Sequence, residues 1–179
     1  MSELKLVNGS CADQKVDAVV NAANRNLWAG GGICGVIFRK AGLAQLTTEC
    51  QKHKTPLNDG DAVITSACNM TNAKAIIHAV GPDFGVTPKA FKELFDSYYN
   101  SLKVLMDNGL HSISFPLISS GIFGGNLQNP VAESTKQCCR AYQKFIKDYP
   151  NYDINVLLCA YSAKEIVEAK MEFDLHKTN

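Results

Sequence analysis

Twice in this chain an apolar strand runs straight into a glycine-rich corner and on into a helix. The first unit is DAVVNAANRNLWAGGGICGVIFRKAG, from Asp17 to Gly42. Ala18 to Val20 read as the end of a buried strand, because a short apolar run closed by Asn and soon followed by Gly is a strand with its punctuation. Asn21 and Asn24 are therefore expected at a strand's carboxyl end. Gly30, Gly31 and Gly32 let the backbone approach a ligand closely. Ile33 to Ala41 have helical spacing, so the loop amides and the helix dipole point at one spot, where an anion is expected. In the second unit the strand Ser112 to Ile118, SISFPLI, runs into SSGIFGGN, and Asn129 and Pro130 then open a helix as N-cap and first residue. One such corner alone reads equally well as a flexible connection with turn-forming asparagines. Two of them are the pattern of an open α/β sheet, which places ligands at the carboxyl ends of its strands. A diphosphate with a group at each end fits the pair.

At 179 residues and 46% hydrophobic content, the chain is expected to be one globular domain with a substantial core. The formal net charge of +1, with signs mixed along the chain, leaves no basic stripe of the kind duplex nucleic acid requires, so nucleic acid is not an expected partner. The seven cysteines, Cys11, Cys34, Cys50, Cys68, Cys138, Cys139 and Cys159, form neither CxxC pairs nor a Cys/His cluster at zinc spacing. No disulfide framework, metal or cofactor is expected, and a reducing, cytoplasmic compartment is. No signal-peptide pattern and no run of 18 apolar residues occurs, so a soluble protein without a membrane partner is expected.

Along the chain, Leu4 to Val7 form a short strand closed by the turn Asn8–Cys11, in which Ser10 has two readings: a ligand contact beside the Gly-rich loop, or a turn serine bonded to its own backbone. Leu43 to His53 continue the first helix with Leu43, Leu46 and Cys50 on one face. Ala62 to Ala67 and Ala75 to Val80 are two further strands, and His78 in the second is most simply a hydrogen-bonded core residue. Thr87 and Pro88 start a long helix with Phe91, Leu94, Phe95, Tyr98, Leu102 and Leu105 on its packing face, ending near Asn108-Gly109. The helix from Pro130 carries Val131, Thr135, Cys138, Tyr142, Phe145 and Ile146 as a packing face, with Cys138 and Cys139 filling space. Ile154 to Cys159 is the last strand, Ser162 and Glu165 form a capping box, and fraying is expected from about Asp174.

With both loops placed, the chain resembles a macrodomain, the ADP-ribose-binding α/β/α module, and within it the bacterial and MacroD-like branch. The resemblance rests on VDAVVNAAN, AGGGICGVIFRKAG, GDAVITSACN, AKAIIHAVGP and FPLISSGIFGGN, and spans Leu4 to about Phe173. It implies a three-layer α/β/α fold, with a mixed, mostly parallel central sheet of about six strands and ADP-ribose across their carboxyl ends. Gly30, Gly31, Gly32 and Ile33 would wrap the diphosphate together with Ser119, Ser120, Gly121, Ile122, Phe123 and Gly124, through backbone N–H groups that need no net positive charge. Asn21, Ala22 and Asn24 would meet the distal ribose, with Phe123 packed near it. Ser10, Cys11, Ala160 and Tyr161 would lie at the adenine end, where a ring can stack on the base.

Two positions depart from the family pattern. Where the family carries an Asp that accepts from the adenine amino group, this chain has Ser10. A hydroxyl acceptor there exchanges a bond worth roughly 1.5–3 kcal/mol for one of roughly 0.5–1.5 kcal/mol, which predicts about tenfold weaker binding or looser base discrimination. Where hydrolytic members carry GGGVDG, the run here is GGGICG, so Cys34 stands in the place of an Asp that helps to activate or orient water. A thiol is a poor general base beside a carboxylate, and Cys34 reads equally as an inert small hydrophobe. Related viral macrodomains with Ala at this position are nonetheless hydrolases, in which the substrate's own phosphate is held to activate water and the retained Asn, here Asn24, positions the ribose. The resemblance thus implies a slow hydrolase. It would remove ADP-ribose from acidic side chains of proteins or deacetylate O-acetyl-ADP-ribose, with Asn24, Asn21 and Cys34 at the reacting end. The alternative is a non-catalytic ADP-ribose reader; an RNA-related phosphoesterase is disfavoured by the absence of a basic surface.

Overall fold

The computed structural model describes residues 1–177. Six strands form one mixed sheet: β1 (Glu3–Asn8), β2 (Ala18–Ala23), β3 (Ala62–Ser66), β4 (Ala75–Val80), β5 (Ser112–Phe115) and β6 (Asn155–Ala160). Their order is β1-β6-β5-β2-β4-β3, parallel throughout except for β3, which pairs antiparallel with β4 at one edge. Because β2 and β4 are covered on both faces they read as near-continuous apolar runs rather than alternating ones.

Five helices cover the sheet: α1 (Gly32–Ala41), α2 (Leu43–Cys50), α3 (Phe91–Asp107), α4 (Pro130–Asp148) and α5 (Ala163–His176). Ala18 and Val20 of β2 pack with Tyr98 and Leu102 of α3 and Phe145 of α4. On the opposite face Val19 and Ala23 pack with Ile37 and Phe38 of α1 and Leu46 of α2. The two cores thus give the expected three layers.

Several element ends differ from the sequence expectation, each for a local reason. Strand β2 runs through Asn21 to Ala23, so Asn21 lies inside it. Strand β5 stops at Phe115 because Pro116 has no N–H to donate, and Ile118 N–H instead goes to the Tyr98 hydroxyl at 3.0 Å. Helix α3 starts at Phe91, not Thr87, because Asp83 gathers the amides of Gly85, Val86 and Thr87 into a turn. Gly42, at φ 98°, separates α1 from α2, and α2 ends at Cys50. Asn129 precedes α4 without a side-chain cap bond, whereas Ser162 and Glu165 make both bonds of the capping box. Helix α5 continues past Asp174 to His176, whose carbonyl accepts from Gln143 Nε2 at 3.1 Å; of the expected frayed tail, residues 178 and 179 lie outside the described residues.

Candidate functional site

A cleft of about 920 Å³ opens across the carboxyl ends of the parallel strands. Strand order lays out its length. At the β1/β6 end it is lined by Ser10, Cys11, Cys159 and Tyr161, in the middle by Pro116, Leu117 and Ile118 beyond β5, and at the β2/β4 end by Ala22, Ala23, Asn24 and Gly81. Gly30, Gly31, Gly32, Ile33 and Cys34 form one wall, and Ser119, Ser120, Gly121, Ile122 and Phe123 the other. The two glycine corners therefore meet on one cavity.

What these walls offer is mainly backbone. The first bond of α1 is Gly35 N–H to Gly31 O at 3.3 Å, so among the described residues the amides of Gly32, Ile33 and Cys34 have no protein acceptor. On the other wall the first amide to be used is that of Gly124, which donates to Gly121 O at 2.9 Å, and those of Ser120 to Phe123 have no acceptor among the described residues. Among the described lining residues there is no lysine, arginine or histidine, and the charged ones are Asp13 and Glu165 at the β1/β6 end. Orphan amides at a helix start suit an anion and supply attraction without a cation. A Cβ placed on Gly31 or Gly32 would meet nothing within 4 Å, so packing does not demand these glycines; open cleft lies over them.

At the β2/β4 end, Asn24 is a turn-former as well as a lining residue. Its Oδ1 accepts from the amides of Asn26 (3.2 Å) and Trp28 (3.0 Å), and its Nδ2 donates to Trp28 O at 2.8 Å. Cys34 lies close by, with Sγ 3.7 Å from the same carbonyl. A Cβ on Gly30 would stand 3.8 Å from both Asn24 Nδ2 and Cys34 Sγ, so these two groups flank the loop. Burial pushes the Cys34 thiol up, against smaller opposing hydrogen bonds from Gly30 and Asn21. The thiol therefore stays protonated at neutral pH.

Three residues expected to touch a ligand sit elsewhere. Asn21 is 1% exposed and turned toward the α1/α2 core, where Nδ2 donates to His78 Nδ1 at 3.1 Å. The Thr65 hydroxyl gives its one hydrogen to Ser66 O, so it accepts from His78 Nε2–H at 3.0 Å, and the imidazole is fixed as the Nε2–H tautomer. Burial, with a smaller effect of His53, pulls His78 down to about 3, and the ring is neutral. Asn21 Oδ1 is buried without a partner. Asn21 is thus not among the residues that line the cleft and lies beneath them. Ala160 is buried, its carbonyl taken by Gly9 N–H and Asn8 Nδ2. Gly124 packs against Pro130 behind the second wall.

Ser10 shows the turn-serine geometry, its hydroxyl accepting from Ala12 N–H at 3.2 Å. Sequence reasoning missed Gly9, Asp13, Ala23, Val36, Gly81, Pro116, Leu117, Ile118, Cys159 and Glu165 as lining residues. Only Gly81, punctuating the end of the β4 run, carried a readable signal.

The Macro domain family model matches residues 20–135. Over 128 residues the chain is 42% identical to an O-acetyl-ADP-ribose deacetylase of Citrobacter rodentium, covering 69% of this chain and 71% of that protein. It is 33% identical over 165 residues to the ADP-ribose glycohydrolase MACROD1 of Rattus norvegicus, covering 91% of this chain and 61% of that protein. The Oceanobacillus iheyensis macrodomain with ADP superposes with a TM-score of 0.86 at 28% identity, over 99% of this chain and 93% of that one.

Proposed function

The chain belongs to the macrodomain family, and from that premise we propose that it binds ADP-ribose and slowly hydrolyses ADP-ribosyl esters, releasing mono-ADP-ribose from acidic protein side chains or acetate from O-acetyl-ADP-ribose. The observation that carries the reading is the pair of amide sets, Gly32 to Cys34 and Ser120 to Phe123, that among the described residues have no acceptor and line one cleft without a cation. The diphosphate sits between them. The adenine lies at the β1/β6 end, where the Tyr161 ring is exposed and the Ser10 and Cys11 backbone turns, and the distal ribose reaches Asn24 and Phe123 at the β2/β4 end. We take residues 1–179 as one macrodomain unit. Its seven free thiols support a reducing, cytoplasmic setting.

In the hydrolysis, water adds at the ester, its C–O bond breaks, and ADP-ribose and a carboxylate leave. Asn24, locked by its three bonds into the turn, positions the ribose at the moment of attack. Among the described lining residues the β2/β4 end holds no carboxylate or histidine, and Cys34 is protonated, so proton removal falls to the ligand's own phosphate. Base assistance is worth roughly 10²–10⁴-fold, and the rate is lower by a share of that. A second reading, an ADP-ribose reader without turnover, is favoured by the same thiol. Incubation with a glutamate-ADP-ribosylated protein and with O-acetyl-ADP-ribose, alongside calorimetry with ADP-ribose, separates the two. Label or acetate loss supports the hydrolase, binding without loss leaves the reader, and absence of binding removes both.

A further inference from the structure

At the β1/β6 end of the cleft, a few bonds fix what a ligand can meet. Gly9 N–H donates to Ala160 O at 3.0 Å, and Asn8 Nδ2 donates to both Ala160 O (3.0 Å) and Tyr161 O (3.3 Å), so the Ser10 turn and the Tyr161 turn stand side by side. The peptide that joins Tyr161 to Ser162 is held from its other side as well. There Ser162 N–H donates to Glu165 Oε1 at 3.0 Å, which is the carboxylate half of the capping box of α5. The Glu165 carboxylate is thereby docked on the backbone beside Tyr161, whose ring is exposed, and both residues line the cleft.

Most hydrogen-bond acceptors at this end are already in use. Ser10 O takes Gln14 Nε2 (3.0 Å) and Asp13 N–H (3.2 Å), Cys11 O takes the Ser114 hydroxyl at 2.8 Å, and the Ala160 and Tyr161 carbonyls are occupied as above. The Ser10 hydroxyl accepts from Ala12 N–H, and Asp13 Oδ1 is held by Lys40 Nζ at 2.7 Å. Glu165 is different: it makes no ion pair among the described residues, and its Oε2 accepts from none of them. Resting on the ADP-ribose reading, which puts the base at this end, we propose that Glu165 determines base specificity. Its Oε2 accepts a hydrogen of the purine 6-amino group while Oε1 stays on Ser162 N–H. A 6-oxo base brings an oxygen lone pair against the same carboxylate, so the site rejects hypoxanthine as well as selecting adenine.

Calorimetry tests this with ADP-ribose and its hypoxanthine and 6-unsubstituted purine counterparts, on wild type, Glu165→Gln and Asp13→Asn. In wild type the unsubstituted purine form binds about tenfold more weakly than ADP-ribose, the loss of one bond to a charged acceptor, and the hypoxanthine form binds more weakly still. Glutamine also serves in a capping box, so in Glu165→Gln the side-chain oxygen keeps Ser162 N–H and the amide nitrogen takes the place of Oε2. A donor then faces the base. Glu165→Gln therefore weakens ADP-ribose binding and tightens the hypoxanthine form, moving their ratio by at least about tenfold, whereas a residue that only capped the helix would move all three ligands together. Equal wild-type affinity for ADP-ribose and the unsubstituted purine form overturns the Glu165 assignment whatever the variants do. A ratio that Glu165→Gln leaves unmoved, or that Asp13→Asn moves instead, overturns it too, and each of these outcomes leaves the ADP-ribose reading intact. Failure of ADP-ribose itself to bind wild type removes both.

Discussion

Replacing Cys34 by aspartate puts a carboxylate where the cleft now carries a thiol kept protonated by burial. Turnover of O-acetyl-ADP-ribose by Cys34→Asp should rise by about tenfold or more; an unchanged rate would show that this position takes no part in water activation. Asn24→Ala, which releases the turn as well as the ribose, should slow turnover at least about 10²-fold while weakening ADP-ribose binding less than about tenfold, read from single-turnover rates and calorimetry. His78 makes a stability prediction. It stays neutral in the fold down to about 3, while the unfolded chain takes up a proton near the ordinary histidine value. The unfolded state therefore binds more protons across that window, and stability falls with falling pH by up to about 1.4 kcal/mol per pH unit. Denaturant titrations from pH 7 to pH 4.5 should show this slope, flattened in His78→Gln. At this scale the sequence was legible where chemistry is local: His78 as a hydrogen-bonded core residue and Ser10 as a turn serine were both readable. Asn21 was not, because β2 runs past it to Ala23, and inside the strand the alternation puts Asn21 on the same face as Val19 and Ala23, toward the α1/α2 core.

Helix α1 and its glycine loop act as one element. A Cβ on Gly35 would stand 2.7 Å from Gly30 O, so Gly35→Ala has to push the loop off the helix, an overpacking cost of roughly 1–3 kcal/mol. Gly31 is the opposite case, with an extended backbone (φ −89°) and open space around it. Gly31→Ala should leave stability within roughly 0.5 kcal/mol, a methyl and a cap change nearly offsetting, yet weaken ADP-ribose binding at least about tenfold. Thermal unfolding with parallel calorimetry tells the two apart, and a Gly31→Ala protein that binds normally would mean the ligand does not approach that wall. Strand and helix cores were legible from periodicity, while ends were not wherever a side chain captured the backbone, as Asp83 does ahead of α3.

The sheet order β1-β6-β5-β2-β4-β3 brings segments far apart in the chain onto one cleft, with Ser10, Asn24, Ile118 and Tyr161 each following a different parallel strand. This is why Glu165 and Cys159 escaped sequence reasoning: their place in the cleft comes from strand neighbours, not from any local pattern. Holding an anion with amides alone has a measurable signature. Because no cation lines the cleft among the described residues, ADP-ribose affinity should change less than about threefold between 0.05 and 0.5 M NaCl, where a lysine- or arginine-built site would lose far more. A crystal structure with ADP-ribose bound tests whether both amide sets hold the diphosphate. Diphosphate oxygens are expected about 2.7–3.2 Å from backbone nitrogens of both Gly32–Cys34 and Ser120–Phe123. A diphosphate held by one loop only, or by side-chain cations outside the cleft, would contradict that placement.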